Sequence, residues 1–173
     1  MNEPNNHKRA AKSPAESAVE SRFLLMPSQA NPHGTAFGGA ILSAIDMIAS
    51  MAAQRHCRGM AVTVGIDSIT FDEPICIGDQ VVCQACVNYA GHTSMEVGVR
   101  VIRENPASGL RRIATTAHLI FVAVDEKTHR PISVPAIEPQ TEEEKRRYEN
   151  ARTRVKARRE LRKKIKSAPF EQS

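Results

Sequence analysis

Asn31-Pro32-His33-Gly34-Thr35-Ala36-Phe37-Gly38-Gly39 runs directly into an apolar stretch, Ala40 to Ala53. Asn31 to Gly34 has the residues of a loop, and Gly38-Gly39 then opens a helix that the spacing carries to about His56. Ile41, Leu42, Ile45, Ile48, Ala49 and Ala52 recur at the helical period. Ala40, Ala44, Met47, Met51 and Ala53 fill the other sides. A helix apolar nearly all round is surrounded by protein. Between Gly34 and Gln54 it carries one charged residue, Asp46. A lone carboxylate in so apolar a segment is costly to bury unless something uses it. The stretch therefore asks what wraps the helix and what its carboxylate does.

Working outward, the flanking signals are strands. Ser21 to Met26 is a short one, ended by Pro27. Cys57-Arg58-Gly59 closes the helix, and Ala61 begins a strand that continues towards Phe71. Asp72-Glu73-Pro74 and Ile77-Gly78-Asp79 are turn chemistry. Gln80 to Ala90 is the next strand. Thr93 to Arg103 alternates, with Met95, Val97, Val99 and Val101 on one face and Glu96, Gly98, Arg100 and Ile102 on the other. A loop at 104–109 leads to a last strand, Arg111 to Asp125. Long strands joined by short turns make an antiparallel meander. The expected fold is α+β, a single antiparallel sheet wrapped around one long apolar helix. The sheet's other face and its edges would stay open, which favours an oligomer.

Residues 1–20 are polar and aperiodic and read as a disordered tail; residues 21–138 form the domain. Thr128 to Pro139 is a Pro-rich coil, and the extension from 139 is a charged helix introduced by the capping-box pattern Thr141-Glu142-Glu143-Glu144. The net charge of +5 belongs to this extension, because residues 1–139 hold 12 Lys/Arg against 13 Asp/Glu. The basic balance is thus no nucleic-acid signal for the domain. The helix has a sparse apolar stripe, Tyr148, Ala151 and Val155, suited to rest on its own domain or a neighbour; RNA or an acidic surface is the alternative. No apolar run reaches the roughly 18 residues of a membrane span, and no secretory signal is visible. A cytoplasmic location is expected. Cys83-Gln84-Ala85-Cys86 is formally C-x-x-C but lies in a strand, where residues three apart face opposite ways. No second ligand pair accompanies it, so no metal site is expected.

Several residues are chemical candidates. Desolvation would make Asp46 a better base near neutral pH; the alternative is a structural Asp bonded to backbone or to Ser43 and Ser50. The free N–H groups of Gly38 and Gly39 at a helix start suit a developing oxyanion, or the pair is a tight turn. Asn31, 15 residues before Asp46, either holds a water or carbonyl or forms the turn before Pro32. His33 is the rival acid/base. Gly91-His92-Thr93-Ser94 is a polar turn whose N–H and hydroxyl groups suit phosphate or the turn itself. Arg100, Arg103, Arg111 and Arg112 could flank an anion or be solvated edge charge.

Asn31-x-x-Gly34-x-x-Phe37-Gly38-Gly39-x6-Asp46 resembles the signature of the hotdog-fold acyl-CoA thioesterases, the bacterial and cytosolic acyl-CoA hydrolase group. Val62-Thr63-Val64, Phe71-x-x-Pro74-Ile75-x-Ile77-Gly78-Asp79, Gly91-His92-Thr93-Ser94-Met95-x-Val97 and Phe121-Val122-Ala123-Val124-Asp125 extend the likeness from Phe23 to Pro135. The resemblance implies a hotdog fold and hydrolysis of acyl-CoA to free acid and CoA. It implies a dimer as minimal unit, assembled into a hexameric trimer of dimers with active sites between subunits. Asp46 of one subunit would be general base or nucleophile, and Asn31 of the other would position water or substrate. The Gly39 N–H would bind the thioester oxygen. Gly38, His33, Thr63, His92, Thr93, Ser94 and Arg111 would contact substrate or CoA. No cofactor is implied beyond the CoA of the substrate. His33 departs from the pattern, standing where many members have a small or amide residue. Hotdog dehydratases use a His on this loop, so an enoyl-CoA hydratase or dehydratase using His33 and Asp46 is the alternative within the fold. A non-catalytic acyl-CoA- or RNA-binding protein is the alternative outside enzymology.

Overall fold

The structure, a computed structural model, describes residues 10–167, with side chains to residue 165. Five strands, β1 (Val19–Leu24), β2 (Ala61–Phe71), β3 (Gln80–Ala90), β4 (Ser94–Glu104) and β5 (Arg111–Ala123), form one sheet in the order β1-β3-β4-β5-β2. Every pairing is antiparallel. The meander expected from the sequence is β3-β4-β5, and the two remaining strands close its flanks. The long helix α2 (Gly38–Cys57) lies across the inner face. It starts where Gly38-Gly39 was expected to start it. It stops because Arg58 takes the left-handed conformation (φ 54°) and returns its N–H to the Gln54 carbonyl at 2.8 Å, a C-cap that ends the helical ladder.

The core lies between this helix and the sheet. Ile41, Ile45, Ile48, Ala49 and Ala52 of α2 are buried against Val97, Val99 and Val101 of β4 and Leu119 and Phe121 of β5. The alternation read in β4 therefore places the expected face inward. The far side of α2 is uncovered in the single chain, where Met47 is 58% and Met51 52% exposed. Cys83 is buried in the core, and burial pushes its thiol up to about 11. Cys86, three residues on, faces the other side of β3 beside Asn88.

The expectation of a disordered stretch up to residue 20 is corrected for the described part of it; residues 1–9 lie outside the described residues. Lys12 bridges to Ile137 and its ammonium donates to the His56 carbonyl at 2.7 Å. A short helix, α1 (Pro14–Ser17), follows, and β1 begins at Val19 rather than Ser21. These polar residues are ordered because their polar groups find partners on the domain. The Ser17 hydroxyl accepts the Val87 N–H at 2.9 Å, just beyond the point where β1 leaves β3.

The open outer face of the sheet is also corrected in part, because the C-terminal helix α3 (Glu142–Ser167) lies on it. Its capping box forms as expected: Thr141 Oγ1 accepts the Glu144 N–H, and Glu144 Oε2 accepts the N–H groups of Thr141 and Gln140. The sparse stripe is the seat. Ala151 is fully buried, and Tyr148 packs its ring 5.6 Å from that of Tyr89. Two ion pairs flank the stripe, Arg154 to Glu96 at 2.7 Å and Arg158 to Asp67 at 2.9 Å. Glu96 is only 1% exposed. Burial raises its pKa above the usual carboxylate range, against the pull of Arg154.

The two outer strands differ. Along β1, Glu20 takes a hydrogen bond from Gln84 and Arg22 reaches Gln80 and Glu104. Along β2, Val62, Val64 and Ile66 are exposed, and two register shifts, between Thr63 and Gly65 and between Ile66 and Ser68, bend the strand. Among the described residues no helix is long and apolar enough to cross a membrane.

Candidate active site

Asp46 lies on the uncovered side of α2, half-buried between the exposed Ser43 and Met47. Its carboxylate accepts a hydrogen bond from the Thr63 hydroxyl of β2 at 2.8 Å. Of the structural partners expected for it, Ser50 is not used: the Ser50 hydroxyl donates to the Met47 carbonyl instead. Asp46 is therefore oriented by one neighbour and otherwise faces out of its own chain. In a single subunit it is not in the closed apolar setting read from the sequence.

Gly38 and Gly39 are the first two residues of α2, and no side chain caps the helix. Their N–H groups have no partner within the helix, and the helix dipole is positive there. A Cβ on Gly39 would come within 2.5 Å of the Phe37 ring, so glycine is what allows that ring to lie against the first turn. Gly39 and Asp46 are seven residues apart, hence on the same side of the helix and about 10 Å apart along its axis.

Asn31 builds the loop before the helix. Its Oδ1 accepts the N–H groups of His33 (2.9 Å) and Thr35 (3.3 Å), and its Nδ2 donates to Thr35 Oγ1 at 2.9 Å. The turn-forming role is thus real, and it uses one of the two amide hydrogens. Gly34 within the loop has φ 76°, a conformation that favours glycine. His33 is exposed at the loop tip. The hydrogen bond to Asp46 comes from Thr63, not from His33.

The remaining candidates fall at two ends of the molecule. The Gly91–Ser94 turn is closed by the Gly91 N–H on the Ser94 carbonyl. It is tied to neighbouring chain through the carbonyls of His92 and Thr93, which accept from Val134 and Ala123. Ser94 lines a cavity of about 170 Å³ with Tyr89, Arg158, Arg159 and Arg162 under the end of α3. Arg111 lies at the opposite end of β4 and β5, where it pairs with Glu104 at 3.2 Å. Ten residues of strand, about 33 Å, separate the two ends. Within one chain, Arg111 and the Ser94 turn do not form one cluster.

A larger cavity, about 300 Å³, opens beside the first turn of α2. Thr35, Gly38, Ile41, Phe71, Asp72 and Thr115 are among its lining residues. Thr115 was not among the sequence candidates. The signal was present, however: residues 115, 117, 119, 121 and 123 form the inward row of β5, and Thr115 is its one hydroxyl.

The sequence model of the thioesterase superfamily matches residues 33–110. The uncharacterized acyl-CoA thioester hydrolase YkhA of Bacillus subtilis is 44% identical over 129 residues, which cover 75% of this chain and 74% of that protein. The acyl-CoA hydrolase of Staphylococcus aureus, solved with butyryl coenzyme A, coenzyme A and coenzyme A disulfide, superposes with a TM-score of 0.84. It is 35% identical, and the match covers 90% of this chain and 94% of that one. A hexameric acyl-CoA thioesterase, solved without ligand, is 40% identical with the same TM-score over 92% and 99% of the two chains. With the sheet, its single wrapped helix and most of each relative's length in common, the chain belongs to the thioesterase superfamily, among its hotdog-fold acyl-CoA thioester hydrolases.

Proposed function

We propose that this chain hydrolyses acyl-CoA thioesters at sites shared between two subunits, with Asp46 activating water. The observation that carries the reading is the Asp46–Thr63 hydrogen bond on the uncovered side of α2. It leaves the carboxylate oriented, accessible and framed by exposed apolar side chains. In this reading the thioester oxygen accepts from the Gly39 N–H, where donors aimed at the oxyanion lower the barrier. Water on Asp46 attacks the carbonyl carbon, the tetrahedral intermediate collapses, and CoA leaves as a thiol that needs little acid assistance. Asn31, with one amide hydrogen to spare, positions the water or the thioester.

Two observations support placing the parts on different chains. Asp46 stands about 10 Å along α2 from its own Gly39, a long reach for a single attacking water. The surface around Asp46 carries Met47, Met51, Val62 and Val64, all exposed in one chain, and a second copy would bury them. The minimal unit is then a dimer, and a trimer of dimers fits the hexameric relative. The S. aureus enzyme has been solved with alanine in place of an asparagine, an aspartate and a threonine. The separations between those positions, 15 and 17 residues, equal those between Asn31, Asp46 and Thr63.

The test uses crotonyl-CoA, following free thiol and the enoyl chromophore separately. Release of thiol by the native protein, lost in Asp46→Ala with the oligomer intact, is the expected result. Loss of the enoyl signal without thiol release would assign a hydratase instead. Full activity of Asp46→Ala would remove Asp46 from the chemistry.

A further inference from the structure

One residue lining the cavity beside α2 carries a polar atom that the rest of the fold leaves unused. Thr115 is fully buried (0% exposed), and its Oγ1 has no hydrogen-bond partner among the described residues. It sits in the inward row of β5, where Ala117, Leu119, Phe121 and Ala123 are buried and apolar. A hydroxyl removed from water without a partner is destabilising, and valine would fill the same space without that cost. Thr115 lines a cavity of about 300 Å³ that also touches Gly38 at the helix start. This is the end of α2 where the proposed chemistry holds the thioester oxygen, so the acyl group has the cavity within reach.

On the reading that the chain is an acyl-CoA hydrolase, we propose that this cavity receives the acyl group and that Thr115 selects neutral acyl groups bearing a hydroxyl or oxo oxygen. Ile41, Phe71, Pro74 and Ile75 supply an apolar wall for the carbon chain. The volume is that of roughly ten water molecules, which sets a short to medium acyl group. An alkyl chain leaves the hydroxyl unpaired, whereas an oxygenated chain that reaches it supplies the missing bond. Asp72 and Glu73 also line the cavity. Glu73 is drawn towards Arg103 and Arg112 at 3.5 and 3.9 Å, and no such partner stands beside Asp72 in the ion pairs of the described residues. The negative charge of Asp72 disfavours an acyl group that ends in a carboxylate.

The test compares kcat/KM for 3-hydroxybutyryl-CoA, acetoacetyl-CoA, butyryl-CoA and succinyl-CoA by CoA release, in the native protein and in Thr115→Val and Thr115→Ser. The native protein should prefer at least one of the two neutral oxygenated substrates over butyryl-CoA and should turn over succinyl-CoA least. Thr115→Val should lose about tenfold of that preference, through slower turnover of the oxygenated substrates relative to butyryl-CoA, and Thr115→Ser should retain it. A native protein with no such preference, or a Thr115→Val protein with unchanged ratios, overturns the proposal and leaves the hydrolase reading standing. Should Thr115→Val not fold, the native preference and the Thr115→Ser ratios decide by the same criteria. Absence of CoA release from all four substrates overturns the hydrolase reading and this proposal with it.

Discussion

The Thr63 hydroxyl of β2 donates to the Asp46 carboxylate of α2 at 2.8 Å, joining one edge strand of the sheet to the core helix through the residue assigned the chemistry. A hydrogen bond to a charged group contributes about 1.5–3 kcal/mol. If it holds the carboxylate towards the attacking water, Thr63→Val should lower kcat about tenfold or more with little change in KM, and Thr63→Ser should recover most of the loss. Steady-state kinetics on butyryl-CoA checks this; an unchanged kcat in Thr63→Val would make the contact structural only.

Sites shared between chains can be counted by mixing. Asp46→Ala and Asn31→Ala homo-oligomers should each be nearly inactive, the former by about 10³-fold for loss of the base. When the two variants are co-refolded, a mixed dimer has one site with both lesions and one site intact. Random pairing should therefore restore about one quarter of native activity. If both residues served the same site of one chain, no mixing ratio would restore activity.

The ion pair between Arg154 and Glu96 binds α3 to the sheet with Glu96 only 1% exposed. Arg154→Ala leaves a buried carboxylate uncompensated and should destabilise the fold by about 3–5 kcal/mol. Glu96→Leu combined with Arg154→Leu should cost far less, because the desolvation of both charges disappears together. Denaturant midpoints of the single and double variants measure the difference.

His118 lies on the same outer face, with Nδ1 3.2 Å from Ser68 Oγ. Burial, then the nearby Arg154, lowers its pKa to about 4 against the ordinary 6.5, while Asp67 pulls the other way. Between these values the unfolded chain takes up a proton that the folded one refuses. The stabilising contribution is therefore full above pH 6.5 and is lost as pH falls towards 4, by at most about 3 kcal/mol. Glu96, with its raised pKa, acts in the opposite sense. The comparison is thus native protein against His118→Asn: from pH 7 to pH 4 the native protein should lose more stability than the variant. Parallel pH profiles would mean that His118 protonates freely in the fold.

The frame of the molecule is legible because its signals are local. Gly38-Gly39 and Arg58-Gly59 bracket the helix, and the alternation in 93–103 indicates which side of β4 is inward. The charged C-terminal helix was legible as a helix but not as to its seat. Glu96 reads as a solvent-facing residue of β4 until Arg154, 58 residues on, is laid over it. Residues 12–20 read as disordered because their order comes from partners such as Val87 and Ile137, far along the chain. In the site, Asp46 stood out by its isolation in an apolar run. Thr63 carried no such contrast, and its role depends on β2 passing beside α2. Thr115 is legible only as the one hydroxyl in the inward row of β5, and that this hydroxyl lacks a partner is a three-dimensional fact.

The sheet has two unlike borders. The β1 border is dressed with Glu20 and Arg22, already engaged by Gln84, Gln80 and Glu104. The β2 border presents Val62, Val64 and Ile66. A strand ladder that could extend from both sides would grow into a fibre. In the proposed dimer, one receptive side and one refusing side would limit growth to a single symmetric joining, after which neither copy has a receptive border left. The charges on β1 would then act as a terminator of self-association, and the border left for joining would be the one beside Thr63 and Asp46.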